Sequence, residues 1–327
     1  EYRTTHSKDS FWTWREMMYS AASRLTPEDV YDASRMAFLE MALSGITAVG
    51  EFHYLHHAPD GSAYDDPNLL AKEVVRAAHD VGLRIALLRV AYARSGFETE
   101  TNPRQRRFIE TDPEVYLRNL EQLIDDLKRG ISPTVREGSS ESTGVVPDGR
   151  ASAMAWVGVA PHSVRAVSLD YLKEVVNVAN SKQLPVHMHI AEQPAEVSAC
   201  IQEYGRSPVA LLATEGLLSE RFTAVHAIHV TPKAVRMLAD ARALVCACPT
   251  TSAASGSPCT RVLARARRIP RRRQTTRPAR TSRAASSATR CRTWNIRTSC
   301  ASAGRIASEL LTAEIALQGA NVTDKDI

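Results

Sequence analysis

The segment PVHMHIAEQ (185–193) is the most informative in the 327-residue sequence. His187 and His189 stand two residues apart, so on a strand both point to one face and Met188 to the other. Neutral imidazole fixed on a rigid strand is a good zinc ligand. Glu192 follows three residues after His189, where the strand should end and the chain turn. A carboxylate there can carry protons for a metal-bound water. Taken alone, the histidine pair reads equally well as two buried, hydrogen-bonded core residues. Histidines at the ends of other apolar runs tip the balance toward metal chemistry.

AVHAIHV (224–230) supplies His226 and His229. Three apart, they cannot both face the same way on a regular strand, so one belongs to a site and the other to structure or the following loop. APHSVR (160–165) brings His162 and Arg165; a guanidinium there suits a carboxylate through paired hydrogen bonds, or else a surface ion pair. EFHYLHH (51–57) clusters His53, His56 and His57 in a loop, where partly solvated imidazoles are the ordinary outcome and Tyr54 is the better functional candidate. FWTWRE (11–16) sets Arg15 beside two tryptophans, as core packing or as a substrate lid bearing a cation. Cys246 and Cys248 share a face but lack a second cysteine pair, which argues against a structural zinc site. The sequence has no Walker loop and no GxGxxG.

These residues need a scaffold, and residues 26–250 alternate between helical and strand periodicity. Thr26-Pro27-Glu28-Asp29 reads as an N-cap, a first-turn proline and acids, opening a helix that stops at Ser44-Gly45. Strand 46–52 follows. A helix opens at Asp66-Pro67 and stops at Gly82, strand 83–92 comes next, and a helix runs from Asp112-Pro113 to Gly130. Beyond a loop over 130–150, strand 155–162 precedes a helix from Ser168 to about Gln183. Strand 185–192, two short helices broken near Gly205 and Pro208, strand 222–230, helix 231–242 and strand 243–250 complete the pattern. Continuous apolar strands alternating with helices mean parallel β with crossover helices, buried on both faces.

The polar residues choose among such folds. Glu51, His53, His162, His189, Glu192, His226 and Cys248-Pro249 all fall at the C-terminal ends of strands. Functional groups gathered from many strand ends mark a (β/α)8 TIM barrel of the metal-dependent hydrolase type. Six strands are recognisable, so the barrel is expected to be incomplete, with the first strand missing before Phe11 and the last after Thr251.

Composition describes a globular chain, 44% hydrophobic and 24% charged. No run of 18 apolar residues offers a membrane span. Six clustered cysteines do not form a secreted disulfide framework, so a reducing cytoplasm is expected. The net charge of +5 is concentrated: residues 251–303 hold 13 arginines and no lysine or acid, and removing them takes the sum to −8. This stretch has neither helical nor strand periodicity. Its abrupt start beside a well-formed strand suggests coding sequence read in a shifted register. The expected division is a partial barrel over 1–250, the Arg-rich aberrant or disordered segment over 251–303, and a short C-terminal helix or tail over 304–327. As a nucleic-acid arm the Arg-rich segment would bind without specificity. With one aromatic residue, Trp294, and no motif, that reading is disfavoured.

Together FWTWRE (11–16), GITAVGEFHYLHH (45–57), APHSVR (160–165), VHMHIAEQ (186–193), VHAIH (225–229) and CPTT (248–251) resemble the formimidoylglutamate deiminases of the amidohydrolase superfamily. The resemblance covers roughly residues 8–251. It implies a metal-dependent barrel with a small β-sandwich domain, one Zn2+ per site, and a homodimer in intact members. It further implies that His189 is a zinc ligand, Glu192 a proton shuttle and His226 a contact to the attacking water or tetrahedral intermediate. Arg15, Tyr54, His162 and Arg165 match positions that hold the substrate. The implied reaction hydrolyses N-formimino-L-glutamate to N-formyl-L-glutamate and ammonia. A dianionic substrate suits local cations in an otherwise acidic chain.

Two family features are absent from this sequence. The His-x-His of the first strand has no counterpart, since His6 is alone. The Asp after the eighth strand has none either, because the next carboxylate after the Arg-rich stretch is Glu309. The ligand set is reduced to His189, and this chain is expected to be inactive and poorly folded. A neighbouring deaminase of the guanine or adenosine type is the competing enzyme reading, disfavoured by FWTWR and the Arg/Tyr/His set.

Overall fold

The computed structural model describes residues 18–97, 102–129 and 154–248. Arg15, the 130–150 loop, the Arg-rich segment 251–303 and the tail 304–327 lie outside the described residues. The expectations placed on them are therefore not addressed by the fold.

Six strands form one sheet in the order β1-β2-β3-β4-β5-β6, and every neighbouring pair is parallel. They are β1 (Ala48–His53), β2 (Arg84–Ala91), β3 (Ala155–Pro161), β4 (Val186–Ile190), β5 (Phe222–His226) and β6 (Leu244–Cys246). The helices are α1 (Pro27–Leu43), α2 (Leu69–Val81), α3 (Pro113–Lys128), α4 (Leu169–Ser181), α5 (Pro194–Tyr204), α6 (Pro208–Thr214) and α7 (Pro232–Asp240). A short 3-10 turn, Pro103–Gln105, was not anticipated from the sequence. Among the described residues, no helix is long and apolar enough to cross a membrane.

Sequential strand order is what a barrel wall requires, and side-chain contacts show that the wall curls. In a flat sheet β1 and β4 would lie about 14 Å apart, three strand spacings. Yet the Phe52 ring on β1 sits 4.7 Å from His189 and 6.1 Å from His187 on β4. The six strands are an incomplete (β/α) barrel, and Phe52, His187 and His189 face its interior.

Local chemistry explains most element boundaries. Thr26 and Asp29 form a reciprocal capping box at the start of α1. Gly82 closes α2 in the left-handed region at φ 80°, a conformation glycine adopts without a Cβ clash. The start of α2 falls later than Asp66-Pro67 suggests. Asn68, at its N-cap, is diverted: its amide donates to the Asn119 carbonyl and its oxygen accepts from Arg89 Nε. β5 is shorter than the apolar run 222–230 because His226 and Ala227 take φ values of 67° and 47°, which end extended backbone.

The core lies between sheet and helices, with Leu87, Leu88, Val90, Tyr116, Leu120, Leu123, Val175 and Phe222 among its buried residues. The β3–β4 join demands a glycine. A Cβ on Gly158 would approach Leu88 Cδ2 to 2.7 Å and Pro185 Cγ to 2.9 Å, closer than packed atoms tolerate.

Candidate active site at the strand ends

Four strands deliver rings to one place. Tyr54, just past β1, packs edge-on against His162, just past β3, at 5.7 Å. His162 stacks on His189 of β4 at 4.8 Å, with 24° between the planes. His189 lies 5.4 Å from His226, the last residue of β5. His226 Nε2 is 3.8 Å from Glu192 Oε1. Tyr54, His162, His189, His226 and Glu192 thus form one continuous array. Of the residues that the resemblance singles out, Arg165 is not part of this series of contacts, and Arg15 lies outside the described residues.

Backbone hydrogen bonds fix this array. The His189 main-chain N–H donates to the His162 carbonyl at 3.0 Å, and the His189 ring Nδ1 meets the same oxygen at 3.1 Å. A carbonyl only accepts, so Nδ1 carries the proton and Nε2 holds the lone pair. That is the tautomer a metal-binding imidazole needs. His162 N–H in turn donates to the Ala91 carbonyl at the end of β2, at 3.0 Å. The His162 ring Nδ1 is 3.0 Å from Ser163 Oγ.

Burial favours the neutral form of His226 and His187. His226 is pushed down to about 3, first by burial and then by the nearby His189 ring. His187 is pushed down to about 4 by the same two causes. Nδ1 of His226 is buried and makes no hydrogen bond among the described residues.

The lone pair on His189 suits a divalent cation, but one imidazole does not fill a tetrahedral zinc site. Among the described residues, no group of three or more His, Cys, Asp or Glu side chains converges as a metal would require. The described residues by themselves therefore do not fit a zinc centre.

The loop histidines depart from expectation. His53 and His56 are buried, each 4% exposed, rather than partly solvated. They belong to a network on the helix side of the sheet, where Arg89 makes a two-pronged ion pair with Glu110 at 2.5 and 3.0 Å. Asn119 also donates to Glu110, and His56 Nε2 contacts the Val90 carbonyl at 2.9 Å. Burial alone would raise the Glu110 carboxyl, but His56, Arg89 and Asn119 hold it down to about 2. Tyr54, by contrast, has its ring 5.7 Å from that of His162. His229 is in the loop after β5, its N–H bonded to the Ala191 carbonyl at 2.9 Å.

Sequence reasoning missed several neighbours of the array. Phe52 covers His189, and Tyr92 at the end of β2 packs 4.9 Å from His162. Gln105 Nε2 donates to the Tyr92 hydroxyl at 2.9 Å. Tyr92 was discoverable as an aromatic residue at a strand's C-terminal end. Glu196, four residues after Glu192, is buried and accepts hydrogen bonds from Ala191 and Glu192 main-chain N–H. Cys246 and Cys248 are free thiols near the array; the hydrogen bond between them lowers Cys246 and, with burial, raises Cys248.

Comparison with known proteins gives a consistent result. The model of the amidohydrolase family matches residues 2–268. Formimidoylglutamate deiminase from Pseudomonas aeruginosa is 37% identical over 265 residues, covering 80% of this chain and 53% of that protein. The crystal structure of an amidohydrolase from Brucella melitensis superposes with a TM-score of 0.65 at 37% identity, covering 77% of this chain and 51% of that one. Atrazine chlorohydrolase TrzN from Arthrobacter aurescens TC1, solved in complex with zinc, shares the fold at 18% identity, with a TM-score of 0.59. That likeness covers 76% of this chain and 50% of TrzN. The chain spans about half the length of the curated relatives it matches.

Proposed function

The chain belongs to the amidohydrolase family, and on that premise we propose that its strand-end array serves the hydrolysis of the formimino C=N bond of N-formimino-L-glutamate, giving N-formyl-L-glutamate and ammonia in a reducing cytoplasm. The observation that carries this reading is Glu192 set 3.8 Å from His226, beside the stacked pair His162 and His189.

The chemistry adds water across a C=N bond and then expels ammonia. Water loses one proton as it attacks and the second as the C–O bond becomes C=O, and the nitrogen gains both before it leaves as ammonia. Glu192 is assigned to take each proton from the oxygen and give it to the nitrogen, as a carboxylate shuttle does. His226, kept neutral by its surroundings, can hydrogen-bond the oxygen that becomes the formyl group without carrying charge of its own. Tyr54, His162 and Arg165 are assigned to substrate binding, as is Arg15, which lies outside the described residues. Arg165 offers the cation for a carboxylate, and its Nε is buried without a hydrogen bond among the described residues.

His189 is the residue assigned to a resident Zn2+. Among the described residues, no group of three or more ligands completes that site.

Calorimetry with formiminoglutamate, adenosine and guanine, run beside an ammonia assay, tests the reading. Binding of formiminoglutamate in preference to both nucleobase compounds is expected. The reverse preference overturns the substrate assignment. Where ammonia is released, E192Q should slow it by roughly 100-fold or more.

A further inference from the structure

We propose that Glu196 is a positioning residue that holds Glu192 against His226 by accepting the consecutive main-chain N–H groups of Ala191 and Glu192. Its value to the reaction rests on the proton-carrying role proposed above for Glu192; the placement itself stands on geometry.

β4 ends at Ile190, and Ala191 follows at φ 50°, in the left-handed region that an L-residue adopts only when its surroundings impose it. Such a bend turns two successive N–H groups toward one side, making a small concavity for an anion. Glu196 fills it: Oε1 accepts from Ala191 N–H at 3.2 Å, and Oε2 accepts from Glu192 N–H at 3.1 Å.

Glu196 is the third residue of α5, where an acid ordinarily reaches back to the N-cap N–H. Here the N-cap is Gln193, and Glu196 passes over it to bond the two residues before. The other side of the bend is held by β5. Ala227 N–H donates to the Ile190 carbonyl at 3.0 Å, and His229 N–H to the Ala191 carbonyl at 2.9 Å. The peptide preceding Glu192 is therefore clamped on both sides, one of them by a side chain that is 7% exposed.

A carboxylate of glutamate length is what the arrangement requires. Glutamine keeps one acceptor and turns an NH2 toward the second N–H. Aspartate keeps two acceptors but is one methylene too short to reach both. Burial raises the Glu196 carboxyl, with the Arg165 guanidinium opposing and the Glu192 charge reinforcing the rise. Two main-chain donors and one cation are thus the compensation for a carboxylate at this depth.

The test uses the full chain and the variants E196Q, E196D and E192Q. Melting temperature, formiminoglutamate affinity, ammonia release and the 15N signals of the His226 ring are measured for each. A positioning role predicts that E196Q stays folded and keeps its affinity within about twofold. It also predicts that the His226 signals move toward those of E192Q and that any ammonia release falls at least tenfold. E196D should show the same pattern. A merely structural Glu196 would lower melting temperature and affinity together and leave the His226 signals of the folded fraction as in the parent. That outcome overturns the proposal. If the parent releases no ammonia, the catalytic reading bears the loss, and the His226 signals still decide whether Glu196 places Glu192.

Discussion

The carbonyl oxygen of His162 receives two hydrogen bonds from His189, one from its main chain at 3.0 Å and one from its ring at 3.1 Å. One strand end thereby fixes both the height and the tautomer of the imidazole on the next. The His189 ring should carry its proton on Nδ1 near neutral pH, readable from 15N–1H long-range correlation spectra. A ring protonated on Nε2 instead would remove its suitability as a ligand.

Arg165 is expected to recognise substrate carboxylate through a planar pair of donors. Arg165→Lys keeps the charge and loses that geometry, so formiminoglutamate affinity should fall roughly tenfold with little change in melting temperature. Titration calorimetry checks this. Unchanged affinity would place Arg165 outside the substrate's reach.

Stability should depend on pH through buried imidazoles. His53 and His226 are pushed down to about 3 and His187 to about 4, chiefly by burial. The folded protein refuses protons that the unfolded chain accepts below about 6.5. The stability these residues contribute is therefore present above that pH and is lost as pH falls toward 4 and then 3. Each refused proton is worth about 1.4 kcal/mol per pH unit. Urea midpoints should drop steadily from about pH 7 to about pH 4.5; a flat profile would contradict neutral, buried histidines.

Breaking the Arg89–Glu110 pair should be costly. Both side chains are buried, and Glu110→Gln leaves the Arg89 guanidinium without its counter-charge, a loss of about 3–5 kcal/mol. Replacing both by apolar residues of similar volume should cost less than either single change. Chemical denaturation measures each; a Glu110→Gln loss below about 1 kcal/mol would show the pair to be dispensable.

Gly158→Ala should destabilise by about 1–3 kcal/mol, because the added methyl meets Leu88 and Pro185 at the β3–β4 join. Leu88→Ala in the same chain should recover only part of the effect, since the Pro185 ring and carbonyl remain. Equal stability of the glycine and alanine forms would mean the strands can part without loss.

The order and type of the elements were legible in the chain alone, because the forces that set them act over a few residues. Thr26 with Asp29, Gly82 and Ser168 mark helix ends through their own hydrogen bonds or backbone freedom, and apolar runs of strand length need no distant partner to be recognised. Reading the chain also placed His162, His189 and His226 at strand ends, and the spacing of His187 and His189 put them on one face.

Where those ends point and what they meet was settled by packing across the fold. The curl that carries Phe52 onto His189 joins strands far apart in sequence. His53 and His56 flank Tyr54 in sequence, yet both lie with Arg89 and Glu110 on the helix side while Tyr54 packs on His162. The early end of β5 at His226 and the reach of Glu196 past its own N-cap are likewise set by neighbours across the sheet. Side-chain periodicity fixes a face; only packing against distant segments fixes a partner.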